Sequence, residues 1–370
     1  MEINKYLSQN KINEALECCL TENLNYLGIL ISKIQLSSSG KDEIQDIYKK
    51  FLNRINESQE DIYFTEKEKV HLHSESLVES SQIRVLLACN WLSNKDICDL
   101  WNKMSKNSDY SWGRIKIVWE EPCDYYCIIN KPCDPNFKFI PEKTILFRME
   151  PNMEENKYLW GEEWSKPDAR KFKFVGYHEN HLNNNEWHLS KTYTELSTEK
   201  VVKNEDLSSI ISTVLSDKYY DPGHKKRIDF MKFVESKNDV KTHVFGSNKF
   251  VWKNYKGSLP PYKKDDSLFP YKYSFNVENF SIKNYYTEKL IDGILTETLV
   301  FYSGCPNVKE YIDERAFVYL ELENFEKDHE IVQKAIREDW WSQRIEYIRE
   351  AKRKILNELQ FFPRLEKLIL

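Results

Sequence analysis

Apolar residues at Ala15, Leu16, Cys19 and Leu20, and again at Ile44, Ile47, Tyr48, Phe51 and Leu52, recur three and four positions apart. Ser37-Ser38-Ser39-Gly40 interrupts them, so residues 1–70 read as a helical hairpin ahead of the main fold, ending in a charged stretch over 57–69. One such pair cannot cover its own apolar face, and it is expected as a packed appendage. The rhythm changes at Ile83-Arg84-Val85-Leu86-Leu87-Ala88-Cys89, a nearly unbroken apolar run suited to a buried strand, after which Ser93 can cap a helix over 95–104. Further strand-like runs fall at 115–118, 125–129, 144–148, 172–175 and 187–189. A second cycle starts near Lys200: a strand over 207–215, a helix opened by Asp221-Pro222-Gly223, strands at 242–245 and 273–277, a helix over 287–296, a strand at 299–302 and a helix from Asn307. Strands alternating with helices predict open parallel sheets whose ligands sit beyond the carboxyl ends of the strands. The chain therefore reads as α/β, with one such domain over 71–200 and another over 201–325, facing one another across a cleft. The last stretch, 326–370, reads as helical with a late break at Pro363. Its stripe of Trp340, Trp341, Ile345, Ile348, Ile355 and Leu356 is expected to pack across the domains, with a homodimer contact or a membrane surface as the alternative.

Composition narrows the partners. At 370 residues, with 41% hydrophobic and 31% charged, the chain is long enough for two domains and too apolar to be disordered. Lys plus Arg number 54 against 59 Asp plus Glu, so no basic excess exists to displace counterions from a nucleic-acid backbone. Only ten residues are glycine, and neither G-x-G-x-x-G nor G-x-x-x-x-G-K-[ST] occurs, so a bound phosphate would be held by side chains and helix ends. The eight cysteines fall in no C-x-x-C pair, which fits free thiols in a reducing compartment. No signal pattern opens the sequence, and the early apolar stretch at 27–31 is far short of the ~20 residues a membrane span needs. A cytoplasmic protein without a transmembrane segment is expected.

The chemistry concentrates in 271–311. A strand ending at Val277 delivers Glu278 and Asn279 to a loop, and Thr287 can cap a helix carrying Glu288 and Lys289 in its first turn. That helix start, with its unpaired N–H groups beside a lysine, suits an anion such as a diphosphate. The segments Tyr271-Lys272-Tyr273, Val277-Glu278-Asn279, Asn284-Tyr285-Tyr286-Thr287-Glu288-Lys289, Gly304-Cys305-Pro306 and Tyr311 follow in an order and spacing that resembles the α-1,3-fucosyltransferases, family 10 of the glycosyltransferases. The resemblance spans about 205–320, and its soluble bacterial or viral-type members are the better match.

That resemblance implies a GT-B fold of two Rossmann-like domains. The second holds a sugar nucleotide, with GDP-fucose the expected donor and a glycan hydroxyl the expected acceptor. Arg227 matches the family's phosphate-contacting arginine, and Asn279, Tyr285, Glu288 and Lys289 match its other donor-contacting positions. Glu278, Thr287 and Gly246 are counted with them as donor-binding. Glu150, ending the strand over 144–148, matches the family's general base, and Glu288 is the candidate for stabilising positive charge on the sugar ring. Because no Asp-x-Asp pair occurs, no metal or other cofactor is expected, and Arg227 and Lys289 would neutralise the departing diphosphate. Asn90, Trp91 and Trp187 are the candidate acceptor-binding residues, followed by Trp160 and Trp164, and His224 is placed to help bind phosphate. Tyr286, Val277 and the run Thr296-Glu297-Thr298-Leu299-Val300 depart from the family pattern near the donor site. A UDP- or dTDP-linked donor on the same fold is thus one alternative, and a catalytically silent carbohydrate-binding or scaffold protein is another.

Overall fold

The computed structural model describes residues 82–151, 160–182 and 186–370. The helical hairpin expected over 1–70 lies outside them. In the first sheet β1 (Ile83–Cys89), β2 (Ser111–Trp112), β3 (Ile115–Val118), β4 (Tyr125–Ile129), β5 (Thr144–Phe147) and β6 (Phe174–Gly176) lie in the order β2-β3-β1-β4-β5-β6. All pairings are parallel except β2 with β3. Strands covered on both faces have no polar side to show, which is why β1, β4 and β5 are nearly continuous apolar runs. Helix α1 (Asn94–Asn102) starts where Ser93 Oγ accepts from the Asp96 N–H and buries Ile97, Cys98 and Trp101 on the sheet. After α2 (Tyr193–Thr198), opened by a Thr192/Glu195 capping box, the chain enters the second sheet.

That sheet is wholly parallel: β7 (Ile211–Leu215), β8 (Thr242–Gly246), β9 (Tyr255–Gly257), β10 (Tyr273–Val277), β11 (Leu299–Ser303) and β12 (Phe317–Tyr319), in the order β12-β11-β10-β7-β8-β9. The first strand of the domain, β7, leads through α3 (Pro222–Lys237) to one side, and β10 leads through α4 (Glu288–Leu295) to the other. The order thus reverses between β7 and β10, where the carboxyl ends of the strands and the starts of α3 and α4 leave the crevice that Rossmann domains use for ligands. Two such domains in one chain are the architecture of a GT-B fold.

The C-terminal stretch ties the two sheets together. Helices α5 (Phe325–Arg337) and α6 (Trp340–Lys354) pack on the second sheet, where Tyr273 Oη donates to the Ala335 carbonyl and Lys352 and Arg349 both meet Glu297 at 3.0 Å. Helix α7 (Phe361–Ile369) then reaches the first sheet: Glu366 accepts from the Arg114 N–H at 2.8 Å, and the Phe361 ring lies 4.5 Å from that of Trp101. Ile348, Ile355 and Leu356 are buried, and Trp340 and Trp341 lie against the core, so the apolar stripe is taken up by packing within the chain. No helix among the described residues is long and apolar enough to cross a membrane.

Several expectations need correction. The strand expected from 207 begins only at Ile211, because 205–207 form a single turn capped by the Asn204 side chain. Residues 187–189 form no strand; the His188 N–H is committed to Asp292 Oδ1 instead. The helix expected from Asn307 is one short turn, Val308–Glu310, with β12 following it. Pro363 breaks nothing: it sits in the first turn of α7, where its missing N–H costs no helical hydrogen bond, and the break falls at Gln360.

Gly223 shows how tightly the crevice is assembled. Its N–H donates to the Asn279 carbonyl at 2.9 Å, and a Cβ there would stand 1.8 Å from the Glu278 carbonyl oxygen. Backbone cannot swing aside as a side-chain tip can, so Gly223→Ala is expected to destabilise by about 1–3 kcal/mol. Thermal unfolding checks this, and an unchanged melting temperature would contradict the close approach.

Candidate active site

A cavity of about 570 Å³ opens at the switch point. The ends of β7 and β8 form one wall through Ser216, Asp217, Gly246 and Ser247, and β10 with α4 forms the other through Asn276, Glu288, Lys289 and Asp292. Gly246 has to be glycine: its φ is +96°, and a Cβ would lie 2.3 Å from the Leu215 carbonyl oxygen.

Arg227, on the second turn of α3, reaches the same cavity. Nη1 lies 3.3 Å from both the Val277 carbonyl and Asn279 Oδ1, Nη2 lies 3.2 Å from Ser216 Oγ, and among the described residues Nε has no hydrogen-bond partner. The residue is 7% exposed and, among the described residues, faces no carboxylate within ion-pair distance, so it is a nearly buried cation with donor capacity unspent. Burial lowers its tendency to hold its proton, and Glu278 and Glu288 act in the opposite sense. An arginine so placed suits an oxyanion entering the cavity.

Lys289 sits at the start of α4 with Nζ 3.3 Å from Glu288 Oε1, 3.5 Å from Glu278 Oε2 and 3.1 Å from Thr287 Oγ1. Burial opposes its charge, but Glu288 and Glu278 outweigh it and raise the pKa above the usual lysine value. The Glu288 carboxyl feels burial in the opposite direction, yet Lys289, Lys264 and His188 together hold it well below the carboxylate range. The pair is therefore ionic at neutral pH. Lys264, which the sequence did not single out, also lines the cavity and reaches Asp292 at 3.0 Å and Glu288 at 3.3 Å.

Two residues counted as donor-binding stand behind the wall instead. Glu278 is 1% exposed and spends its carboxylate on the Thr287 N–H (2.8 Å) and Oγ1 (2.7 Å), with Tyr302 Oη at 3.3 Å. Thr287, 3% exposed, is the N-cap of α4, its Oγ1 accepting from the Lys289 N–H. Both hold the start of α4 in place, and neither has a free surface for a ligand. Tyr285 is likewise buried, its ring edge-on to His178 at 5.1 Å, and does not line the cavity, whereas Asn279 is half-buried and holds the Arg227 guanidinium.

Glu150 follows β5, its side chain reached by solvent yet ringed by surrounding protein. Its enclosure raises the carboxyl above the ordinary value; Glu288 adds to the rise, while Lys289 and Lys218 oppose it. Charges of the cavity wall thus act on Glu150, which does not itself line the cavity, whereas Arg227, Glu288 and Lys289 do. His224, next to Arg227, is buried and pushed down to about 4 by that burial and by the charges of Arg227 and Lys218, so at neutral pH it carries no charge to offer a phosphate.

The acceptor candidates fare differently. Trp187 is 1% exposed, packed in the core with Nε1 donating to the Lys191 carbonyl, so it presents no face to a sugar. Asn90, at the end of β1, spends its amide oxygen on Asn130 Nδ2 at 3.0 Å. Trp91 is half-buried against the core, and Trp160 is buried beneath the Arg148 guanidinium at 4.9 Å.

No protein-family model matches the sequence, and no curated protein matches it. Among solved structures, the chain is similar to an α1,3-fucosyltransferase with GDP, at 15% identity and a TM-score of 0.46 over 77% of this chain and 94% of that one. It is similar to WaaG, a glycosyltransferase of lipopolysaccharide biosynthesis, at 11% identity and 0.47 over 78% and 99%. It is also similar to an α-glucosyltransferase in complex with UDP and a mismatched DNA 13-mer, at 9% identity and 0.48 over 78% and 99%. At these identities the likeness is one of chain arrangement.

Proposed function

We propose that the protein is an inverting glycosyltransferase that moves fucose from GDP-fucose to a hydroxyl of a glycan. The observation that carries the reading is the pairing of Arg227, with its unspent Nε, and Lys289 across a nucleotide-sized cavity at the switch point of the second sheet. The motif order from Tyr271 to Tyr311 supports the same reading. In the step proposed, the acceptor hydroxyl gives its proton to Glu150 as its oxygen bonds to the anomeric carbon. The bond from that carbon to the diphosphate oxygen breaks on the opposite face, and the electron pair leaves with the diphosphate. Arg227 and Lys289 neutralise the charge that develops on it, and the Glu288 carboxylate faces the positive charge that builds on the sugar ring. Those two cations make a metal unnecessary in this scheme, so transfer is expected to survive EDTA.

Thermal unfolding with GDP, UDP and dTDP at about a hundred times a typical dissociation constant tests the reading. A ligand bound only to the folded state adds about 2.7 kcal/mol at that excess, a rise of several degrees. GDP alone should give it. A rise with UDP or dTDP alone would change the donor and keep the reaction. No rise with any of them would remove the reading in favour of a silent scaffold.

A further inference from the structure

The turn that carries Glu150 is gripped on both sides of one peptide plane pair. Asn130, held at φ +61°, accepts through Oδ1 from the Met149 N–H at 2.9 Å and lies 3.4 Å from the Glu150 N–H. Asn130 is fixed in turn by its Nδ2 donating to Asn90 Oδ1. On the other side the Met149 carbonyl meets His178 Nε2 at 3.2 Å. His178 is 3% exposed, and its second ring nitrogen lies 3.3 Å from the carbonyl of Asn284, in the other domain. A neutral imidazole has one N–H to share between two carbonyls. The link between domains is therefore completed by Asn284 itself, whose Nδ2 donates to the His178 carbonyl at 2.5 Å, and by the edge of the His178 ring on Tyr285. Asn284 is immobilised in the second domain: Asn307 bonds both its backbone N–H and its Oδ1 at 2.8 Å, and Tyr311 Oη donates to the same Oδ1 at 2.6 Å. Three residues beyond Asn284 stands Thr287, the cap of the helix that carries Glu288 and Lys289.

We infer that His178 is a positioning residue: clamped between Met149 and Asn284, it sets Glu150 relative to the donor-domain segment 284–289, so that the base is aimed by the same loop that places the phosphate-binding helix. This rests on Glu150 being the base. His178 touches neither donor nor acceptor, and its effect falls on the geometry of proton removal. Nucleophile and anomeric carbon must meet within a few tenths of an ångström of the productive arrangement, and a shift of about 1 Å from a distant change costs on the order of a hundredfold.

The test uses the full chain with His178→Ala and with His178→Phe, which keeps a ring of similar shape and removes the ring N–H. Three quantities are measured: the GDP dissociation constant, kcat with saturating donor, and amide hydrogen exchange over 147–151 and 283–287. In both variants GDP binding should stay within about twofold of the parent while kcat falls by about tenfold or more. Exchange should quicken in both segments together. Parent-like kcat in a folded variant, loss of GDP binding along with transfer, or faster exchange confined to one segment would each overturn the inference. If the parent protein transfers no sugar, the proposed function falls, and the exchange pattern alone still decides whether His178 couples the two segments.

Discussion

Lys289→Ala is expected to lower kcat/KM for transfer by about a thousandfold and to weaken GDP binding as well. A charge-assisted hydrogen bond to a ligand oxyanion contributes about 1.5–3 kcal/mol, and losing a single donor to charge that develops in the transition state costs about 10²–10³ in rate. Lys289 is placed for both, since the leaving diphosphate gains charge as the glycosidic bond breaks. The variant should also reveal what Lys289 does without ligand. Glu288 keeps Lys264 at 3.3 Å, whereas no other ion pair to Glu278 is present among the described residues. Burial already raises the Glu278 carboxyl, and Lys289 is the first influence holding it down, so the variant's carboxyl should rise further. A buried carboxyl raised in the folded state is penalised while ionised, and the penalty is relieved as pH falls through its folded value. Lys289→Ala should therefore melt closest to the parent near pH 5 and fall furthest behind near pH 8. Undiminished turnover would remove Lys289 from the phosphate site, and a pH-independent gap in melting temperature would remove its hold on Glu278.

Much of the fold was legible because parallel strands covered on both faces leave a plain trace. The runs at Ile83–Cys89 and Tyr125–Ile129 are apolar at every or nearly every position, and no helix of five residues would look so. What failed were features decided by distant partners. Phe317–Tyr319 is three residues long and becomes a strand only by pairing with β11, Phe301 opposite Val318. Lys264 sits in Lys263-Lys264-Asp265-Asp266, where no local pattern marks it out; its place in the wall depends on carboxylates 24 and 28 positions later on α4. Trp187 has the composition of a sugar platform, and only the packing of the core around it shows that both faces are taken. Within the site, residue type and spacing announced Arg227 and Lys289 but not Lys264, the third of these cations lining the cavity. They could not separate Glu288, which faces it, from Glu278 ten residues earlier, which holds the wall from behind.

Glu150→Gln is expected to cut transfer by about 10²–10⁴, the usual contribution of a positioned general base, while leaving the GDP-induced rise in melting temperature as it is. The amide matches the carboxylate in shape, and the turn is held through backbone groups by Asn130 and His178, so the loss falls on proton removal alone. The pH profile identifies the group. A base works ionised, and the Glu150 carboxyl is raised, so the parent's rate should fall as pH drops through a value above the ordinary glutamate range. Glu288 stays ionised throughout that window, because Lys289, Lys264 and His188 hold it well below the carboxylate range. Asp292 and Glu278 are also raised by burial, and a limb belonging to either would persist in the variant. Disappearance of the acid limb in Glu150→Gln, together with the lost rate, assigns it to Glu150. Survival of both the rate and the limb would mean that the proton leaves by another route and that the carboxylate at the end of β5 is not the base.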